Sequence, residues 1–270
     1  MRLFIEHRTA YRYGGEVLHS AQYLHLTPVS NASQQVVNWR IDAPGQIARW
    51  QDAFGNICHT LVVERPSTEI RITASGRVDT FDVNGVLANE DGALPVEVFL
   101  RATPLTRTDE RVRDFAASFA GAVARDRLDG LHALMGGVRE RVDYRTGATH
   151  VHSTAAEVLA DGFGVCQDHA HVFIACCRAL GVPARYVGGY LFDGEADALS
   201  TAGHAWAAAW VDELGWVSFD VSNTVCGTER HVGVATGLDY AGAAPVRGMR
   251  RGGSADEEME VTVQISAVQQ

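Results

Sequence analysis

From Leu3 to Tyr13 the apolar residues Leu3, Ile5, Tyr11 and Tyr13 fall on one face and Glu6, Arg8 and Arg12 on the other. A period of two predicts a half-buried strand, and Gly14-Gly15 is expected to end it. The alternation returns at Val37, Trp39 and Ile41 and again at Ile70, Ile72 and Ala74, so strands are expected to about residue 83. Between Trp50 and the apolar run Leu61-Val62-Val63, Asp52-Ala53-Phe54-Gly55-Asn56 has the composition of a hairpin turn. The first 83 residues therefore read as an antiparallel sheet module.

Residues 84–107 mix Gly, Asn and Asp with Pro95 and Pro104, the composition of a connector. Beyond it the period changes to that of a helix. Thr108 is placed to cap a helix whose apolar positions Val112, Phe115, Phe119 and Val123 follow 3-4-4 spacing, with Asp109 and Glu110 in its first turn. A second helical pattern covers Leu131 to Val142. Thr154-Ala155-Ala156-Glu157 has capping-box spacing, so a short helix should start there and stop at Gly162. Ala170, Phe173, Ile174 and Cys177 share a face of a helix opened by Cys166 and stopped by Gly181 and Pro183. Strand-like runs follow at 184–191, 204–211 and 216–221, the last two joined by Asp212-Glu213-Leu214-Gly215. The stretch 227–253 is rich in Gly and Ala with little periodicity, and Met259, Val261, Val263 and Ile265 mark one final strand. The expected class is α+β: a β-domain over 1–83, a connector over 84–107, and a core of helices packed on an antiparallel sheet over 108–270.

Charge narrows the partners. With 23 basic and 33 acidic residues the net charge is −10, which opposes nucleic acid and anionic membrane surfaces. No run of about 18 apolar residues is present to span a bilayer. The opening Met1-Arg2-Leu3-Phe4-Ile5-Glu6 meets charge too early for a signal peptide, so a bacterial-type cytoplasmic protein is expected. Five cysteines, an odd number in a chain of this length, are not the pattern of a disulfide-stapled module. Each thiol is then packing, metal ligand or nucleophile.

Cys166 stands apart because it follows Gly162-Phe163-Gly164-Val165 at the head of a helix. Unpaired backbone N–H groups and the positive end of the helix dipole favour a thiolate there, and the glycines allow a close approach to a carbonyl. A thiol nucleophile needs a base and a group to orient it; His204 and Asp220, at the ends of neighbouring strands, are the candidates. They lie at unequal distances from their connecting turn, so simple register does not bring them level. Cys176 and Cys177, on an apolar helix, read as core packing, and Cys58 and Cys226 as structural. A metal centre within Cys166-Gln167-Asp168-His169-Ala170-His171 is disfavoured, because His169 and His171 point to nearly opposite sides of a helix. No cofactor is implied. The acidic run Asp193-Gly194-Glu195-Ala196-Asp197 reads as a solvated turn rather than a calcium loop. Tyr186, Tyr190 and Trp206 are either cleft-lining or core.

These blocks together resemble the transglutaminase-like superfamily, and within it the bacterial transglutaminase-like cysteine proteins with an N-terminal β-domain. The resemblance runs through 154–159, 162–171 and 178–190, then His204-Ala205-Trp206 and Gly215-Trp216-Val217-Ser218-Phe219-Asp220. It implies a papain-like core in which Cys166, His204 and Asp220 form a triad. The implied activity is that of a cysteine peptidase or amidase acting on a peptide or protein through a thioacyl intermediate. Acyl transfer to an amine, or a non-catalytic peptide-binding module on the same fold, are its alternatives. Where the family commonly has Pro-Thr-Asn after its Asp, Val221-Ser222-Asn223 stands here, which removes a rigid turn but not the carboxylate.

Overall fold

A computed structural model describes residues 1–87, 94–194, 199–200, 202–254 and 256–268. Glu195, Ala196 and Asp197 of the expected acidic turn lie outside the described residues. The N-terminal region supplies β1 (Arg2–Thr27), β2 (Gln34–Asp42), β3 (Gln46–Gln51), β4 (Ile57–Val63) and β5 (Ser67–Thr80). A 3-10 turn at Val96–Leu100 leads to α1 (Glu110–Ala117), α2 (Ala120–Arg125) and α3 (Arg127–Arg141). Then come β6 (Asp143–Tyr144), α4 (Ala155–Asp161), β7 (Phe163–Gly164), α5 (Cys166–Ala179), β8 (Ala184–Leu191) and β9 (Leu199–Ser200). The chain continues as β10 (His204–Val211), β11 (Gly215–Asp220), β12 (Val225–Cys226), β13 (His231–Gly237) and α6 (Tyr240–Ala243). It closes with β14 (Val246–Gly252) and β15 (Glu257–Ala267).

One antiparallel sheet is built around β1, which does not end at Gly14-Gly15 as its glycines suggest. Its first half runs between β5 and β15, its second between β4 and β14. Register shifts after Arg12 and Val17 mark the change of partners, so the glycines form an irregularity within one bent strand rather than a stop. The Gly14 N–H donates to the Asp256 carbonyl at 3.0 Å. Likewise Val37 of β2 falls at a register break and is 47% exposed, although its alternation placed it inward.

The second sheet has the order β12-β11-β10-β8-β13 and is antiparallel. The α5 helix packs on it through Ala170, Phe173, Ile174 and Cys177, all fully buried, with Leu131, Leu134 and Val138 of α3 behind. Each such large apolar side chain contributes about 1.5–3 kcal/mol on burial, so this seam fixes where α5 begins. The sheets meet through a third cluster in which Leu3, Ile5 and Val78 pack with Tyr190, Phe192 and Val232.

Three boundaries differ from expectation. The first helix is capped by Asp109, whose carboxylate accepts from the Val112 N–H at 2.9 Å, rather than by Thr108. It breaks at Ser118 and Phe119, and Phe119 lies against Gly137 of α3 where a Cβ would come within 2.3 Å of its ring. The region assigned to the core over 108–270 gives its last two strands, β14 and β15, to the N-terminal sheet. The aperiodic stretch 227–253 contains β13, α6 and β14. The described end of the connector is tied to the core: the Arg178 guanidinium donates to the Phe99 carbonyl and Thr106 Oγ1 of the connector and to the Ala184 and Leu238 carbonyls of the core at 2.6–2.9 Å.

Candidate active site

The approach to Cys166 is set by local chemistry. Thr154 and Glu157 form the expected capping box, and Gly162 ends α4 in the left-handed region at φ 77°, where glycine carries no Cβ penalty. Phe163 and Gly164 then pair in parallel with Asp143 and Tyr144. A Cβ on Gly164 would stand 2.6 Å from that of Asp168, so glycine is needed for the turn to close over the first turn of α5. The buried Asp168 carboxylate accepts from the Val165 N–H at 2.8 Å and the Thr149 hydroxyl at 2.6 Å. Cys166 is thereby presented, half-buried, as the first residue of α5.

His204 opens β10 and Asp220 closes β11. The register pairs Ala207 with Phe219, so continuing it one step sets Asp220 opposite Trp206. His204 is then its diagonal neighbour on the same face, within side-chain reach. No bulge is required, which answers the unequal distances from the turn. His204 Nε2 lies 2.7 Å from Asp220 Oδ2, which leaves Nδ1 as the ring's other polar edge, and Cys166 and His204 line one cleft. Burial disfavours the imidazolium, but Asp220 first and then Cys166 outweigh it and raise His204 to about 10.

Asp220 is fully buried. Burial alone would raise its carboxyl, yet hydrogen bonds from His204, His231 and Asn223 hold it far below the usual carboxylate range. Asn223 Nδ2 donates to Oδ2 at 2.7 Å and the Asn223 N–H to Oδ1 at 3.3 Å. Asn223 thus fastens the carboxylate in a turn that lacks the family's proline. His231, on β13, was not identified from sequence. Its Nε2 is 3.0 Å from Asp220 Oδ2, and its Nδ1 accepts from the Thr228 N–H at 3.2 Å, which places the ring proton on the nitrogen facing the carboxylate. The only hint was a histidine at the start of the short alternating run His231-Val232-Gly233-Val234.

The remaining thiols and histidines go elsewhere. Cys176 and Cys177 are fully buried, and burial pushes the Cys176 thiol up to about 12 and Cys177 upward as well. His169 faces the Val165 and Val142 carbonyls, whereas His171 accepts from the Tyr240 N–H at 3.1 Å. The two rings diverge, so the run from Cys166 to His171 does not gather round one ion. Ligand atoms of His204, Asp220 and His231 lie within 4.8 Å of one another, but both imidazoles are engaged in hydrogen bonds to the carboxylate between them.

Beside the sulfur lies a cleft of about 310 Å³, lined by Cys166, Gln167, His204, Tyr186 and Tyr190 from the core and by Tyr11, Met259 and Val261 from the N-terminal sheet. Tyr186 and Tyr190 are therefore both buried and cleft-lining. Another cavity, about 480 Å³, is lined by Trp206 and His231 but not by Cys166 or His204; of the two, the smaller one reaches Cys166 and His204. Burial raises the Tyr144 phenol.

The profile of the transglutaminase-like superfamily matches residues 113–221, and that of the bacterial transglutaminase-like N-terminal region matches residues 3–79. An uncharacterised protein of Mycobacterium leprae is 30% identical over 98% of both chains. Another from Mycobacterium tuberculosis is 31% identical over 98% of this chain and 92% of its own. Among solved structures, a proposed cysteine protease from Cytophaga hutchinsonii superposes with a TM-score of 0.71 at 20% identity, covering 98% of this chain and 97% of its own. That likeness extends the fold across both sheets.

Proposed function

Because the chain belongs to the transglutaminase-like superfamily, we propose that it is a cysteine-nucleophile hydrolase that cleaves an amide bond in a peptide or protein. The observation that carries this reading is geometric: His204 is held 2.7 Å from the buried Asp220 carboxylate and lines the same cleft as Cys166, the first residue of α5, an arrangement that favours the imidazolium. An imidazolium facing sulfur is the natural partner of a thiolate and the acid that a leaving amine requires.

In the proposed cycle Cys166 Sγ attacks the amide carbonyl carbon, forming the C–S bond, and the oxyanion accepts from the Cys166 N–H at the head of α5. His204 gives its proton to the amine nitrogen as the C–N bond breaks, leaving a thioacyl enzyme. A water then attacks with neutral His204 as base, the C–S bond breaks, and the carboxylic acid product departs. Asp220, fastened by His231 and Asn223, keeps the ring oriented through both halves. The five free thiols support a reducing, cytoplasmic setting.

A thiol-directed amide probe tests the nucleophile: Cys166 should label at neutral pH and Cys176 should not. Equal labelling of the two, or full activity in Cys166→Ala, overturns the proposal. Mass spectra of a glutamine-containing peptide digested with and without a primary amine then distinguish hydrolysis from acyl transfer.

A further inference from the structure

A second cluster of chemistry-bearing side chains lies in the N-terminal sheet, and its His25 also lines the cleft beside Cys166. His25 on β1 is 2% exposed and Cys58 on β4 is fully buried, while Asp52 opens the turn between β3 and β4 with 16% of its side chain exposed. His25 Nδ1 is 3.1 Å from the Ala244 carbonyl and donates to it, which leaves the other ring nitrogen as a bare acceptor in the neutral ring. That nitrogen, Nε2, has no hydrogen-bond partner despite its burial. It points to Asp52 Oδ2 at 3.6 Å, too far for a good hydrogen bond. Cys58 Sγ completes the group, with all three ligand atoms within 4.8 Å of one another.

We propose that His25, Asp52 and Cys58 form a binding site for a borderline-soft divalent cation of the zinc type. The spacing is what such an ion needs. Tetrahedral bonds of about 2.0 Å to N and O set those atoms about 3.3 Å apart, and a bond of about 2.3 Å to sulfur sets N and S about 3.5 Å apart. The observed 3.6 Å between His25 Nε2 and Asp52 Oδ2 requires a small contraction, and Cys58 Sγ, within 4.8 Å of both, closes on the ion by a larger one. One imidazole, one carboxylate and one thiolate exclude calcium and magnesium, which take oxygen. The surroundings are also those of a ligand set. The Ala244 carbonyl fixes the His25 ring as outer partners of metal-bound histidines do, and Asp52 Oδ1 is held by the Phe54 and Asn56 N–H groups at 2.9 Å each. Asp52 Oδ2 accepts one bond, from Asn56 Nδ2 at 2.9 Å, and retains a lone pair. Solvent on the exposed side of Asp52 supplies the fourth position, and the Cys58 proton leaves to buffer on binding.

The site's place gives the ion a role. Asn56 also pairs with the backbone of Thr236 on β13 through two bonds of 2.7 Å, and His25 is tied to Ala244 next to α6. An ion here crosslinks β1, the β3–β4 turn and β4 within the N-terminal sheet, and so stiffens the two places, His25 and Asn56, from which hydrogen bonds reach the core. This inference does not depend on the proposed hydrolase activity.

The test uses full-length Cys166→Ala protein stripped of metal, in which the reactive thiol cannot contribute. Cobalt(II) should bind with one equivalent, produce a sulfur-to-cobalt charge-transfer band with tetrahedral d–d absorption, and be displaced by zinc. Adding Cys58→Val should abolish the charge-transfer band, and His25→Gln should weaken binding at least about tenfold. Absence of any such band in the Cys166→Ala protein overturns the site and leaves His25 and Asp52 as an ion pair. A band that survives Cys58→Val also overturns it, pointing instead to Cys226 and its neighbour His132, 3.8 Å away.

Discussion

His204 ties the site to the stability of the fold, and the link is measurable without a substrate. In the unfolded chain this imidazole titrates near 6.5; in the fold, burial opposes the charge but Asp220 and Cys166 overcome it and hold the ring at about 10. A group raised in this way adds stability that is fully present below the unfolded value and is lost as pH climbs through the folded one. From pH 6.5 to about 8.5 the unfolded chain sheds its remaining proton while the native ring keeps its own. At about 1.36 kcal/mol per pH unit, less a little for the half proton the unfolded chain still holds at the start, a ring that stays protonated loses up to about 2 kcal/mol over that interval. A thiolate at Cys166 would offset this, because the unfolded thiol sheds its own proton over the same range, so the comparison is made in a Cys166→Ala background, where Asp220 still raises the ring; adding His204→Gln removes the loss. Urea denaturation of both proteins at several pH values isolates the effect, because the buried thiols contribute equally and cancel in the difference. The window stops near pH 8.5 because unfolded thiols titrate above it. If the two stability curves run parallel within about 0.5 kcal/mol, His204 is not held as an imidazolium and the electrostatic reading of the site is wrong.

Asp220→Asn should reduce turnover by about a hundredfold or more, since the ring loses its orienting charge, and should bring the His204 titration toward its ordinary value in a carbon-detected histidine NMR experiment. Gly164→Ala puts a methyl group 2.6 Å from the Asp168 Cβ, so it should displace that carboxylate from the Val165 N–H, cost about 1–3 kcal/mol and depress probe labelling of Cys166; unchanged labelling and melting would show that the turn is slack. Arg178→Met takes a donor from the Phe99, Ala184 and Leu238 carbonyls and from Thr106 Oγ1, and should destabilise by about 3–5 kcal/mol in urea melts. It should change labelling of Cys166 little at temperatures where the variant stays folded.

Elements defined by short-range chemistry were legible. The capping box at Thr154 and Glu157, the left-handed stop at Gly162 and the apolar face of α5 each depend on residues within a few positions, and the structure has all three. The position of Cys166 at the head of α5 followed from them. What failed was long-range. A period of two says that β15 is a strand but not that it pairs with β1, more than 230 positions away, so the C-terminal strands were grouped with the core. His231 was invisible for the same reason, because only the pairing of β13 with β8 brings it to Asp220. The diagonal reach of His204 to Asp220 needed the actual register of β10 on β11, whereas the spacing alone argued against the pair.

The pairing of β14 and β15 with β1 also changes what the N-terminal region is. A β-domain closed on itself would be an appendage, free to be lost without touching the chemistry. Here the chain builds part of one sheet, builds the core that carries Cys166, and returns to complete the first sheet with the strands that follow His204 and Asp220. Met259 and Val261, on the returning strand, and Tyr11, on the strand it pairs with, form one wall of the cleft whose other wall carries Cys166 and His204. Leu3, Ile5 and Val78 are buried against Tyr190 and Val232 of the core, and at about 25 cal/mol per Å² of apolar surface such contacts resist separation of the sheets. The groove beside the sulfur therefore owes its shape to both sheets at once, and substitutions at Tyr11 or Met259 should alter which peptides are accepted before they alter the reactivity of Cys166.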